Sequence, residues 1–215
     1  MIHPPPEHTR PLDPLVPGLP THLRRWAVEV VQIVLLTALL YAVVTTFVAQ
    51  PYEVEMSSME PTLLPGDHIL LDKLSLAWSD PQHGDLVVFD APDGFADDGI
   101  PYVKRVVAVA GETVQLLNGR LWITPVGGSP APLDEPYVAD SGLTLPLGRS
   151  GPTRWTVPAG SVFVLGDNRT DSVDSRRFGP IPEDRIIGRA FVRYLPLERV
   201  AVLGGTQPAD VTPRP

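Results

Sequence analysis

The stretch from Ile100 to Gly111, IPYVKRVVAVAG, decides how the rest of the chain is read. It is short, nearly all apolar, rich in valine, and bounded by Pro101 and Gly111. That is the pattern of a strand rather than a helix. On a strand the side chains alternate, so Lys104 shares a face with Tyr102 and Val106, and Arg105 points the other way with Val103 and Val107. One of the two cations must therefore point inward or lie along an edge. Six further runs have the same character: HILLDKL (68–74), DLVVFD (85–90), ETVQLL (112–117), RLWIT (120–124), SVFVLGD (161–167) and RAFVRYL (189–195). Gly, Pro and Asp separate them. Asn118-Gly119 between apolar runs predicts a tight hairpin. No long stretch after Gln50 has a helical period, so this part of the chain is predicted to be mainly β.

Upstream the pattern changes. Ala27 to Ala49, AVEVVQIVLLTALLYAVVTTFVA, would span about 34 Å as a helix, against a bilayer hydrocarbon core of about 30 Å. Ile33 to Ala49 carries no charge, which a buried core helix would not need. A cleaved leader is disfavoured, because a cut after Ala49 would put Phe47 at the −3 position, where a small residue belongs. An uncleaved anchor is expected. Arg24 and Arg25 lie just before it, which places the N-terminus in the cytoplasm and everything after Gln50 outside. The expected organisation is a Pro-rich tail at 1–25, an anchor at 26–50, an extracytoplasmic β-domain at 51–203 with a cap or insert near 106–165, and a disordered tail at 204–215.

Composition narrows the chemistry. The 215 residues carry a net charge of −8, which disfavours a nucleic-acid partner. There is no cysteine, so disulfides and Cys-ligated metals are excluded. Lys73 and Lys104 are the two lysines, and the remaining cations are arginines. Only a lysine can be deprotonated by burial. On the strand pattern Lys104 is either an ordinary edge charge or a desolvated amine. In the second case burial favours the neutral form, and a fall of the pKa by about 2.5, equivalent to roughly 3.4 kcal/mol, would make it a general base for a serine hydroxyl.

A serine is available. Met56 to Asp67 reads MSSMEPTLLPGD, with two adjacent serines and no histidine within five residues of the pair. His68 and His83 could in principle serve a Ser-His-Asp triad, but both read as solvated turn residues. Gly166 to Pro182, GDNRTDSVDSRRFGPIP, is dense in Gly, Asp, Asn, Ser and Arg. By itself it is a turn network with Arg–Asp pairs. Calcium binding by Asp167, Asp171 and Asp174 is disfavoured by the absence of EF-hand spacing and by Arg169, Arg176 and Arg177.

Taken together and in this order behind an anchor, SSMEPTL (57–63), YVKRVV (102–107) and GDNRTDSVDSRRFG (166–179) resemble the bacterial signal peptidase I family, serine–lysine peptidases that remove signal peptides from exported proteins. The resemblance covers most of Glu53 to Pro182. It implies an antiparallel β-sheet catalytic domain behind a transmembrane helix. It implies Ser58 as nucleophile, Ser57 being only its neighbour, and Lys104 as general base. It further implies Ser172 as the serine that orients the amine, Asp174 and Arg176 as a bracing pair, and Gly166-Asp167-Asn168 as a shaping loop. Pro61 and Thr62 would stiffen the nucleophile turn, and Gly66-Asp67 resembles another family box. No cofactor or metal is implied. The expected partners are signal peptides with small residues at P1 and P3, bound extended by β-augmentation, and the lipid bilayer; the chain is expected to be a monomer. Trp78 is either a headgroup-level aromatic or a packed hairpin residue.

The family commonly has Ser or Gly two positions before the nucleophile, and here Met56 stands there. A missing oxyanion donor can cost about 2.7–4 kcal/mol, so water or a backbone amide is expected to compensate. His83-Gly84-Asp85 replaces the usual Arg-Gly-Asp, and Thr170 replaces an acid. Two rivals remain at this level: a serine–lysine peptidase dedicated to one partner, and an anchored β-domain that binds extracellular ligands without catalysis.

Overall fold

A computed structural model describes residues 21–95, 99–138, 143–146 and 151–204. Most of the N-terminal tail and of the C-terminal tail expected from the sequence lies outside these residues. The chain divides into two compact units, residues 1–42 and 43–215.

The described part of the first unit is helical. Helix α1 (Thr21–Val43) starts ahead of the boundary at 26 read from hydropathy. The reason is local: Pro20 is the last proline before it, and Arg24 and Arg25 are good helix formers. The segment His22–Thr46 is long and apolar enough to cross a membrane, with a mean hydropathy of 2.3. Its large side chains are exposed, Leu36 at 67% for example. A single π turn (Val44–Val48) follows.

The second unit is antiparallel β. Its strands are β1 (Ala49–Glu53), β2 (His68–Asp72), β3 (Leu86–Phe89), β4 (Tyr102–Ala108), β5 (Thr113–Leu117), β6 (Arg120–Thr124), β7 (Ala131–Pro132), β8 (Arg154–Thr156), β9 (Ser161–Leu165), β10 (Ile181–Pro182), β11 (Ile186–Leu195) and β12 (Ala201–Val202). Among the described residues they form one sheet in the order β1-β2-β11-β3-β4-β9-β10, with β12 on β11, and a second sheet in the order β7-β6-β5-β8. All seven runs expected to be strands are strands. Those not foreseen (β1, β7, β8, β10 and β12) are short or interrupted by proline. Pro51 fits β1 because β1 lies at the end of the sheet order, where a missing N–H costs no ladder bond. The Asn118-Gly119 hairpin closes with both residues at positive φ, 51° and 75°, and Leu117 opposite Arg120.

Strand β4 corrects the edge-charge alternative for Lys104. It lies inside the sheet, with Val87 of β3 opposite Lys104 and Leu165 of β9 opposite Arg105. All seven of its residues are buried. Tyr102 and Val106 join a core with Val87, Phe89, Val162, Val164 and Ile181. Val103 and Val107, on the opposite face, pack into two other clusters. The alternation therefore buries both cations, one on each face, and each must be accommodated chemically.

Candidate active site

Ser58 sits in a 3-10 turn, Ser57–Met59, entered from an extended Met56 and left through an extended Glu60. The turn is held by its own side chains. Met59 is fully buried with Leu63 in the core beneath it, and the Leu63 amide donates to the Met59 carbonyl (2.9 Å). Asp67, also buried, accepts from the Leu64 amide (2.8 Å) and from the guanidinium groups of Arg193 (3.3 Å) and Arg199 (2.9 Å). The Ser58 loop is thereby fastened to β11 and to the segment after it.

Across the sheet, Lys104 Nζ donates to Ser58 Oγ at 2.6 Å and to the Val103 carbonyl at 3.0 Å. Both residues are buried, with exposures of 7% for Ser58 and 1% for Lys104. The Tyr102 ring lies 5.1 Å from the amine. Burial lowers the Lys104 pKa from 10.5 to about 8, and the negative charges of Asp174 and Asp167 partly oppose that fall. Among the described residues no carboxylate is hydrogen-bonded to the amine, so desolvation prevails. A cavity of about 370 Å³ opens onto the pair, lined among others by Met56, Ser58, Tyr102, Lys104, Asp171 and Val173.

The segment after β9 supports the pair from behind. Gly166 is the closest approach: a Cβ there would fall 2.3 Å from Ser172 Oγ and 2.5 Å from the Ser58 carbonyl oxygen. The Asn168 amide donates to that carbonyl (3.1 Å), and the Asn168 side chain to the Ser57 carbonyl (3.3 Å). Asp167 accepts a bidentate bond from Arg105 (2.8 and 2.7 Å) and the Thr62 hydroxyl (2.6 Å), joining β4 to the nucleophile loop. Asp174 accepts a bidentate bond from Arg176 (2.9 and 2.8 Å) and one from the Gly166 amide (3.2 Å). Its side chain also caps the short helix α2 (Ser175–Phe178). Asp171 accepts from the Ser57 hydroxyl (2.7 Å), which turns that hydroxyl to a partner other than Lys104.

Every site residue expected from the sequence thus falls in one neighbourhood, with one difference of detail. Ser172 is at the site, but among the described residues its buried hydroxyl has no hydrogen-bond partner, and the bonds of Lys104 go to Ser58 and Val103. The two histidines lie in other contacts. His83 pairs with Glu112 (2.8 Å) and His68 packs against the Tyr194 ring. Among the described residues no group of three or more His, Cys, Asp or Glu side chains could hold a metal ion. Arg105, Arg169, Glu135 and Tyr137 were given no role from the sequence. Arg105 left a signal as a second cation in an apolar strand, and Arg169 as part of the 166–179 motif; Glu135 and Tyr137 left none.

The model of the family described as signal peptidase, peptidase S26, matches residues 24–195. The chain belongs to this family of hydrolases. It is 35% identical to a probable signal peptidase I-2 of Synechocystis sp., over 79% of this chain and 74% of that protein. It is 37% identical to signal peptidase I of Leptolyngbya laminosa, over 75% and 76%, and 34% identical to signal peptidase I of Mycobacterium tuberculosis, over 89% and 79%. A solved signal peptidase I of Enterococcus faecalis is matched at 30% identity over 52% of this chain and 97% of that one, with a TM-score of 0.39.

Proposed function

We propose that this protein is a membrane-anchored endopeptidase that removes signal peptides from exported proteins with a Ser58–Lys104 dyad. The observation that carries this reading is the 2.6 Å contact between a buried serine and a buried lysine in a chain of the signal peptidase family. When the Lys104 amine is neutral, the Ser58 hydroxyl can donate to its lone pair. Attack on a peptide carbonyl then transfers the hydroxyl proton to Nζ, and the resulting ammonium can protonate the departing amine. Water hydrolyses the acyl-Ser58 ester with the same amine as base. Asn168, Gly166 and Asp167 hold the Ser58 turn still while this happens. The substrate binds extended, with small P1 and P3 side chains in the cavity beside Tyr102 and Val173.

The apolar helix anchors the enzyme in the cytoplasmic membrane with its N-terminus inside and the β unit outside, following the position of Arg24 and Arg25. Trp78 is 79% exposed, which removes the packed-aromatic alternative and leaves its ring free for the headgroup layer.

The test is cleavage of a peptide with Ala at P1 and P3 by the detergent-solubilised full chain. Ser58→Ala and Lys104→Ala should each remove activity, by about a thousandfold or more. His68→Ala and His83→Ala should stay near wild type. A histidine variant as damaged as the lysine variant would overturn the dyad.

A further inference from the structure

We propose that Glu135 and Tyr137, on the segment between β7 and β8, are positioning residues that hold the Gly166–Asp167 loop against the Ser58–Lys104 pair. This rests on the dyad reading above.

The loop hangs on two buried guanidinium groups, Arg105 and Arg169, and the 135–137 segment grips both. The face of the Tyr137 ring lies 3.9 Å from the centre of the Arg105 guanidinium, the same group that binds Asp167 bidentately. Glu135 binds Arg169 through both of its oxygens; its side chain is 9% exposed and that of Arg169 is 2% exposed. Arg169 Nε donates to the Gly166 carbonyl (2.9 Å). The Tyr137 hydroxyl donates to Glu135 (3.1 Å) and joins the two grips into one strap. Burial and the Glu135 charge raise the Tyr137 pKa, so the hydroxyl keeps its proton and remains a donor. Burial opposes the charge on Arg169, but its partners together, Glu135 foremost, outweigh burial and hold the pKa above the ordinary value.

The strap bears on the reacting atoms through Gly166 and Asp167. Gly166 has no room for a side chain, because Ser172 and the Ser58 carbonyl occupy the space of its missing Cβ. Asp167 binds Thr62 in the nucleophile loop, and with Asp174 it is one of the two carboxylates whose charge acts on Lys104. If Glu135 loses its charge, the buried Arg169 guanidinium lacks its counterion, and the other carboxylate already acting on it is Asp167. Arg169 then competes with Arg105 and Thr62 for Asp167. Once engaged by Arg169 as well, the Asp167 charge opposes the desolvation of Lys104 less. One substitution therefore disturbs the geometry and the proton affinity of the dyad together.

The experiment measures kcat and KM against pH for the full chain in detergent, together with thermal unfolding, for Glu135→Gln, Tyr137→Phe and Tyr137→Leu, with Ser58→Ala alongside. Glu135→Gln should lower the high-pH plateau of kcat about tenfold with KM within about twofold, and move the limb to lower pH. Tyr137→Phe keeps the ring over Arg105 and should lose only about threefold, with the limb in place. Tyr137→Leu should lose more than Tyr137→Phe. The Glu135→Gln/Tyr137→Phe double variant should be no worse than Glu135→Gln, since the hydroxyl has already lost its anionic partner. Where Glu135→Gln does not fold, the two Tyr137 variants decide. Folded variants with a wild-type plateau and limb, or with only a lowered unfolding temperature, would overturn the strap while an inactive Ser58→Ala kept the dyad. An active Ser58→Ala would overturn both.

Discussion

Lys104 and Arg105 are neighbours on one strand, equally buried, and answered in opposite ways. The Lys104 side reaches into a face of Tyr102, Val106, Val87 and Phe89, and its amine meets a hydroxyl and a carbonyl. The Arg105 side meets a bidentate carboxylate, the Gly84 carbonyl and an aromatic face. A cation buried without a contacting counterion holds its proton more weakly; one buried with a hydrogen-bonded carboxylate keeps its charge. Two successive residues can therefore serve as base and as fastening, because the pleat sends them to different surroundings.

The largest test of this contrast removes each cation in turn. Lys104→Met should abolish cleavage, yet at pH 7 it should unfold at a higher temperature than wild type, a gain of up to about 3 kcal/mol. The sign follows from the pKa. Because the folded value, about 8, is below the unfolded 10.5, wild type at pH 7 bears the whole cost of a desolvated ammonium. As pH rises from about 8 to about 10.5 only the unfolded chain still binds the proton, so wild type gains stability and the difference closes. Arg105→Met should instead lose about 3–5 kcal/mol, because it strands the buried Asp167 carboxylate. Equal destabilisation of both variants in thermal unfolding at pH 7 would break the contrast.

The next effect is on rate. Only the neutral amine is a base, so kcat/KM should rise about tenfold per pH unit below pH 8 and level off above it. A profile already flat at pH 7 would mean that Lys104 is not the base whose desolvation the strand brings about.

The smallest expected change concerns the rim of the same cavity. Met56 lines it where the family commonly places a small or hydroxylated residue. Met56→Ser should raise kcat up to about tenfold, or roughly 1.4 kcal/mol off the barrier, with KM little changed. An unchanged or lower kcat in a variant that unfolds like wild type would show that the oxyanion has enough donors already.

The legible parts of this protein were those written in local pattern. Short apolar runs bounded by Gly, Pro and Asp showed seven strands, Asn118-Gly119 a hairpin, and a long uncharged run the apolar helix. Three motifs marked Ser58, Lys104 and the loop after β9. Short strands such as β7 and β12 left no pattern, since two residues are too few for alternation to appear. Glu135 and Tyr137 were illegible for another reason: an acid and a tyrosine in a polar stretch read as solvated until a guanidinium is placed over each.

The sequence by itself singled out the residues proposed to do the chemistry. A single lysine in an apolar run and a serine before a Met-Glu-Pro-Thr turn need no partner to be conspicuous, because hydrophobic patterning and turn propensity are local properties of the chain. Tertiary structure alone decided the state of that lysine and the neighbours of that serine. Whether a cation is desolvated depends on which strands flank it, and β3 and β9 come from either side of β4 in the chain. The same holds for the Ser57 hydroxyl, which is turned to Asp171 across 114 residues. Desolvation and hydrogen bonding depend on distance in space, which the order of residues does not state.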